Sequence, residues 1–267
     1  SRGLGHVYKR PIEGRLWPTV NYLNYSANYE EHPMMKRNLP SALAAACLLA
    51  ISVPAFAQDW TRFRGPNGTG LSEASDIPVK WTDKDYNWKT DFPGVGHSQP
   101  VAWGEKIFLT SAEKKGVVRH VLCFSTLDGS ILWKKTYDNR THGKHRLNSF
   151  ASSTPAVSKD ALYVMFGNPD AVSLHALDHS GKELWKVEWK GALRVPFFAR
   201  ANGSWIRSTP ASDGKRLFVA GIRDVLVCLD VASGKQLWRV DFAKKYRSPL
   251  PGFGTVCSPL IDGKAVY

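Results

Sequence analysis

The sequence predicts an all-β propeller of four-stranded blades, and three observations carry that prediction. Opening prolines recur at 100, 155, 210 and 259, with spacings of 55, 55 and 49 residues. Closing glycines recur at 129, 181 and 234, spaced by 52 and 53. Four residues beyond each of these glycines stands a tryptophan: Trp133, Trp185 and Trp238. A period of about 50 residues made of short apolar runs and glycine turns is the pattern of a propeller or a similar all-β array.

Each copy reads as four short strands. In the second copy they fall roughly at 154–158, 161–166, 171–177 and 182–188, with turns at Ser158-Lys159-Asp160, at 167–170 and at His179-Ser180-Gly181. Ser or Asp before Gly is hairpin chemistry, because glycine reaches the positive φ that the turn needs. A large ring repeated once per copy has a repeated task, and filling the wedge between adjacent sheets is the one expected here. Asp178 and Asp230 precede their tryptophans by seven and eight residues, where the first copy has Ser125. Their expected role is a local hydrogen bond to turn amides.

The copies set the expected organisation of the chain. Residues 97–136, 153–188 and 208–241 form three repeats, and 257–267 begin a fourth that stops at Tyr267, so a partial propeller over 58–267 is expected. Residues 58–96 read as an N-terminal cap. Within it, 60–70 is a Gly- and Pro-rich coil packed by Trp60 and Phe63, and Asn87-Trp88-Lys89 resembles the closing strand of a blade. Ahead of the cap, Met35-Lys36-Arg37, an apolar run over 39–53 and Ala55-Phe56-Ala57 follow the pattern of a signal peptide cleaved before Gln58. The run is short for a membrane span, and it continues well past Cys47, which disfavours lipidation there. The expected location is therefore the periplasm or outside the cell, with 1–34 an upstream or non-native leader. Without 1–57 the chain has 30 Lys and Arg against 20 Asp and Glu, or +10. Of its cysteines, Cys123 and Cys228 fall at one place in two strands and read as small buried hydrophobes; Cys257 makes the count odd, against a disulfide framework. No Cys/His spacing reads as a zinc site.

The candidate binding surface lies in the long connections between copies, about 136–153, 187–207 and 241–256, which in a propeller leave one face. They carry ten cations against three anions, a focused positive field. The expected partner-binding residues are Arg140, Lys144, Arg146, Arg194, Arg200, Arg207, Lys244, Lys245 and Arg247, interleaved with aromatic rings. That mixture suits an anionic polymer, an acidic protein segment or an anionic lipid head. Nucleic acid fits the charge too, but the export signal argues against it. His97, His142 and His145 could converge on the same face and hold copper or zinc. No residue is assigned a catalytic role, because no carboxylate pair or nucleophile set stands apart from the repeat.

The closing motif Ala-x-Asp-x-x-x-Gly-Lys-x-x-Trp matches Cys228 to Trp238 with Cys for Ala, and Ala176 to Trp185 with one residue deleted. Together with Trp60-x-x-Phe63-Arg64-Gly65-Pro66 and Gly96-His97-Ser98-Gln99-Pro100, it resembles the PQQ-binding-like β-propeller repeat family, in an exported bacterial branch. The resemblance covers about 58–267 and implies a quinoprotein dehydrogenase-like ring of seven or eight blades, of which this chain would hold fewer than half. It also implies two opposed functions. Quinoprotein dehydrogenases hold PQQ and calcium with an Asp base, a stacking Trp and often adjacent cysteines, and this chain has no adjacent cysteines. The outer-membrane β-barrel assembly scaffold is a propeller without enzymatic activity that binds proteins. The expectation is a non-enzymatic propeller of the cell envelope with no cofactor, binding a protein or anionic polymer through its basic loop face. A PQQ- and calcium-dependent dehydrogenase is the alternative.

Overall fold

The computed structural model describes residues 59–74, 78–113, 115–144, 146–168, 171–190, 208–221, 225–247 and 257–267. The leader and signal peptide expected over 1–57 lie outside them. The described chain is all-β, in three four-stranded antiparallel sheets of sequential strand order and one hairpin. The first sheet holds β1 (Val101–Trp103), β2 (Lys106–Ala112), β3 (Val118–Ser125) and β4 (Ile131–Asp138). The second holds β5 (Ala156–Val157), β6 (Leu162–Gly167), β7 (Ala171–Leu177) and β8 (Glu183–Lys190). The third holds β9 (Ala211–Ser212), β10 (Arg216–Gly221), β11 (Val225–Asp230) and β12 (Gln236–Asp241). A short helix α1 (Phe242–Tyr246) follows, and β13 (Ile261–Asp262) pairs with β14 (Ala265–Val266). The four-strand repeat is therefore present in each complete copy, as propeller blades.

The first strand of each blade is shorter than the repeat predicts, because the opening motif bonds to the neighbouring blade. Proline has no N–H for a ladder, and the Ser and Thr before it bond sideways. Thr154 Oγ1 accepts from the Gln99 amide at 3.0 Å, Ser153 Oγ donates to Ser208 O at 3.2 Å, and Ser258 Oγ accepts from the Thr209 amide at 2.9 Å. One blade's opening residues thus bond the next blade's.

Burial follows the two-residue period of a strand with both faces covered. On β6, Leu162, Val164 and Phe166 join Phe108, Val121 and Cys123 of the first sheet in one core cluster. Tyr163 and Met165, pointing the other way, join Leu217, Val219 and Val227 of the third sheet in another. Buried side chains of this kind contribute roughly 1.5–3 kcal/mol each, so blade-to-blade contact holds most of the apolar stabilisation. Cys123 is buried in the first of these clusters and Cys228 is buried on β11, both as small hydrophobes, and Cys257 is exposed.

The repeated tryptophans dock on the next blade. Trp133 Nε1 donates to His179 O at 3.0 Å and Trp185 Nε1 to Val231 O at 2.8 Å. Each ring lies on the turn glycine of that blade: a Cβ on Gly181 would come 2.9 Å from Trp133, and one on Gly234 2.6 Å from Trp185. These glycines also hold φ of 87° and 70°, so both conformation and space demand glycine. Trp88 makes the same contact, donating to Thr126 O at 3.0 Å over Gly129. Its segment forms no strand, contrary to the expectation for 87–89; the ring docks without a ladder around it. Trp238 packs on Phe218 of its own blade and is 38% exposed. The turn carboxylates act locally as expected, with Asp178 Oδ1 accepting from the Ser180 and Lys182 amides and Asp230 Oδ1 from that of Ser233.

A strap from Trp60 to Asn67 crosses the first strands of successive sheets. Trp60 pairs with Ala102 on β1, Thr61 O accepts from Val157 of β5 at 2.8 Å, and the Asn67 amide side chain bonds both backbone groups of Ile261 on β13. Trp60 packs the strap, but Phe63 is 40% exposed and does not. Arg62, 5% exposed, lies at its centre instead.

Between the first two blades lies a polar cluster. Glu183 Oε2 accepts from Tyr137 Oη at 3.1 Å and meets His175 Nδ1 at 2.9 Å, while His175 Nε2 contacts Ser173 Oγ at 3.1 Å. Burial drives the His175 imidazole below its ordinary range, against the opposing pull of Glu183. Burial also lowers His142 and His179.

Two outcomes follow from this packing. Trp185→Ala should lose on the order of 3 kcal/mol, and Gly234→Ala should cost more than ~1 kcal/mol, because Ala is strained at this positive φ and its Cβ meets the Trp185 ring. Urea unfolding of both single variants and the double variant should be non-additive, because each removes the same contact. For pH, all three histidines have folded pKa values below the unfolded 6.5. Below pH ~6.5 the unfolded chain therefore binds more protons, and stability should fall as pH drops through this window, levelling once the folded histidines titrate. Urea midpoints at pH 8, 6.5 and 5 would reveal it, with a smaller slope in His175→Gln.

Candidate functional site

The loop end of the first blade is built from two segments that the sheet holds side by side. Residues 93–98 run along the end of β2, where Val95 and Ala112 exchange backbone hydrogen bonds of 2.8 and 2.9 Å. The next amides turn across to the connection after β4: His97 N–H donates to Ala151 O at 2.9 Å and Ser149 Oγ at 3.0 Å. Opposite, Lys144 Nζ donates to Asn148 O at 2.7 Å, closing a short loop. Between the two segments lies a cavity of about 540 Å³, with His97, Lys144, Asn148, Ser149 and Phe150 in its walls.

The Phe150 ring organises the charge here. The Arg119 guanidinium lies 4.8 Å from its centroid and Lys144 Nζ 5.6 Å, and His142 meets the ring edge-on at 4.9 Å. Arg119 is 1% exposed. It donates Nε to Gly116 O at 2.9 Å and Nη1 to Phe150 O, and its Nη2 has no partner among the described residues. Burial lowers its pKa to about 10, which leaves it charged at neutral pH. His142 is lowered chiefly by burial, with the charges of Arg119 and Lys144 adding to it and its bond to Gly143 O opposing. The imidazole thus stays neutral where the two long side chains are charged. No carboxylate is in the cavity wall among the described residues, so its field is positive and an anion is the ligand that would gain from it.

Of the residues singled out from sequence, the structure brings His97 and Lys144 into one cavity and sets His142 against its Phe150. His145, Arg194, Arg200 and Arg207 lie outside the described residues, and so does any convergence of three histidines. Among the described residues no three His, Cys, Asp or Glu side chains stand close enough to share a metal ion. Arg140 and Arg146 are exposed in the same connection. Lys244 and Lys245 are exposed on α1, whose N-terminus is capped by Asp241 accepting from the Lys244 amide at 3.0 Å, and Arg247 ends it at φ 54°. That connection was expected as a loop; the Asp cap with three helix-compatible residues behind it explains the turn of helix. Strands β4 and β8 also run further than predicted, so Tyr137, Asp138, Trp189 and Lys190 are strand residues, and Tyr137 and Trp189 pack on the cores.

Phe150 is one of the aromatic rings that the sequence places in the basic connections, whereas Arg119 is not among the expected site residues. Arg119 was visible as a lone arginine in the run Val118-Arg119-His120-Val121-Leu122-Cys123-Phe124, a charge that such a strand buries only with a purpose. Gly116 was the companion signal: a Cβ there would lie 2.3 Å from the Phe150 ring.

Comparison with known proteins finds similarity over parts of the chain. Residues 170–267 match the family described as outer membrane protein assembly factor BamB. A polyvinylalcohol dehydrogenase of Pseudomonas sp. is 24% identical over 225 residues, which cover 76% of this chain and 32% of that protein. One from Sphingopyxis sp. strain 113P3 is 27% identical over 191 residues, 68% of this chain and 27% of its own length. The chain thus spans about a third of the curated relatives it matches. A solved structure of quinohemoprotein alcohol dehydrogenase from Comamonas testosteroni aligns with a TM-score of 0.45 at 19% identity, over 68% of this chain and 27% of that one. The chain is thus distantly similar to BamB over 170–267 and to polyvinylalcohol dehydrogenases, consistent with a PQQ-binding-like repeat.

Proposed function

We propose that this chain is part of an exported propeller, active in the cell envelope, that binds an anionic polymer or an acidic protein segment through its loop face and does so without catalysis. The observation that carries the reading is the Phe150 cavity. Lys144 and the Phe150 ring line a wall that holds no carboxylate among the described residues, and the buried Arg119 guanidinium stands 4.8 Å from that ring. An anion in this cavity would meet the Lys144 ammonium directly, with the Arg119 guanidinium adding to the positive field nearby, and charge-assisted hydrogen bonds are the stronger kind. Export rests on the sequence pattern over 35–57, and on this reading the partner is in the periplasm or outside the cell.

A second reading, PQQ- and calcium-dependent dehydrogenation, is favoured by the two relatives named polyvinylalcohol dehydrogenases. Calcium takes six to eight oxygen ligands, usually including carboxylates. The described residues do not fit that set, since no three Asp, Glu, His or Cys gather at one place among them.

Binding of fluorescent poly-L-glutamate, followed by anisotropy, tests the first reading. The wild-type chain should bind with an affinity that falls steeply with salt, and Lys144→Ala/Arg247→Ala should bind about tenfold more weakly with a shallower salt slope. Equal affinity of the folded variant would sink the loop-face reading. Calorimetric titration with PQQ and calcium tests the second, and stoichiometric micromolar binding would move the protein to the dehydrogenases.

A further inference from the structure

At the other end of the blades, among the turns between first and second strands, is a second cavity of about 460 Å³. Trp103 on β1, Val157 on β5, Ser212 on β9 and Ile261 on β13 all stand in its wall, so it forms where the first strands converge. The strap closes one side with Arg62.

Arg62 is buried to 95%, and no carboxylate pairs with it among the described residues. Its Nη1 donates to Pro259 O at 2.7 Å. Its Nη2 reaches Thr209 O only at 3.5 Å, a length at which little bonding remains, and its Nε has no partner. Two carbonyl oxygens are a poor exchange for the hydration of a guanidinium, and an uncompensated buried charge costs several kcal/mol in general. The strap nonetheless holds this side chain here by backbone pairing on both sides, at Trp60–Ala102 and Asn67–Ile261. Lys159, on the turn after β5, adds a second cation to the wall, and it too has no carboxylate partner among the described residues.

We infer that this cavity binds a small organic carboxylate, its charged end taken by Arg62 and Lys159 and its hydrocarbon body lying on Trp103, Val157 and Ile261. The weakly held Nη2 is the donor that the carboxylate would claim, in place of Thr209 O. Charge-assisted bonds to a guanidinium are stronger than neutral ones and favour the planar carboxylate. The apolar side of the wall favours a ligand with a carbon skeleton over inorganic phosphate, and the nearby carbonyls of Thr209 and Pro259 disfavour a dianion. This site is separate from the Phe150 cavity and does not depend on the function proposed for it.

Calorimetric titration of the full chain with hexanoate, at fixed ionic strength, tests the assignment, with hexylammonium and inorganic phosphate as comparisons. One hexanoate per chain should bind saturably, hexylammonium should not, and phosphate should be weaker. Arg62→Gln should weaken hexanoate by about tenfold or more and Lys159→Ala by about threefold. Lys159 is on an exposed turn, so its variant decides the question if Arg62→Gln does not fold. Absence of saturable hexanoate binding by the folded wild-type chain would overturn the site. So would tighter binding of phosphate or hexylammonium, or an unchanged hexanoate affinity in Lys159→Ala.

Discussion

The docking of each tryptophan on the next blade's turn glycine is the contact on which the rest of this structure depends. A four-stranded sheet of this size is only marginally stable alone, since its two apolar faces need neighbours. The indole covers the edge of one such interface, spends its N–H on a backbone carbonyl of the neighbour, and requires that the neighbour's turn carry no side chain. That single geometry ties a residue of one repeat to a residue of the next and sets blade spacing. The Ser-Thr-Pro openings tie the other end by hydrogen bonds, so that each interface is held at both ends.

This framework leaves polar chemistry to the segments that do not repeat. Repeated positions are occupied by apolar side chains or by local turn bonds, and Asp178 and Asp230 are used up in holding their own loops. The two buried arginines both break the pattern. Arg119 interrupts an apolar strand, and Arg62 belongs to a strap with no counterpart in the blades. Arg62 lines one cavity and Arg119 stands against the Phe150 ring that lines the other, each has a nitrogen without a partner among the described residues, and the two cavities are at opposite ends of the blades. Buried cations of this kind lower stability unless something anionic meets them, which is why both cavities are read as binding sites.

The similarities found agree with this division: the BamB family match over 170–267 and the polyvinylalcohol dehydrogenase matches both fall on a chain built of repeated blades. A repeat of packing residues specifies a ring and says little of its use, because fold and function separate where the site lies in grafted loops.

Spacing of Pro100, Pro155, Pro210 and Pro259, with the Gly and Trp that follow, determined by itself the blade, its strand order and the task of its aromatic rings. These are legible because they arise from local period, turn φ and a contact that recurs at fixed sequence distance. The basic loops and His97 and Lys144 were legible as charge and residue type. What tertiary structure alone decided is which of them meet. His97 and Lys144 share one cavity wall because hydrogen bonds from the His97 amide to Ala151 and Ser149 pin two segments that lie about 50 residues apart in the chain. The helix at 242–246, the docking of Trp88 without a strand, and the burial of Arg62 in place of Phe63 were decided there too. Each depends on a partner far along the chain or on a side-chain cap, and composition and period carry no information about either.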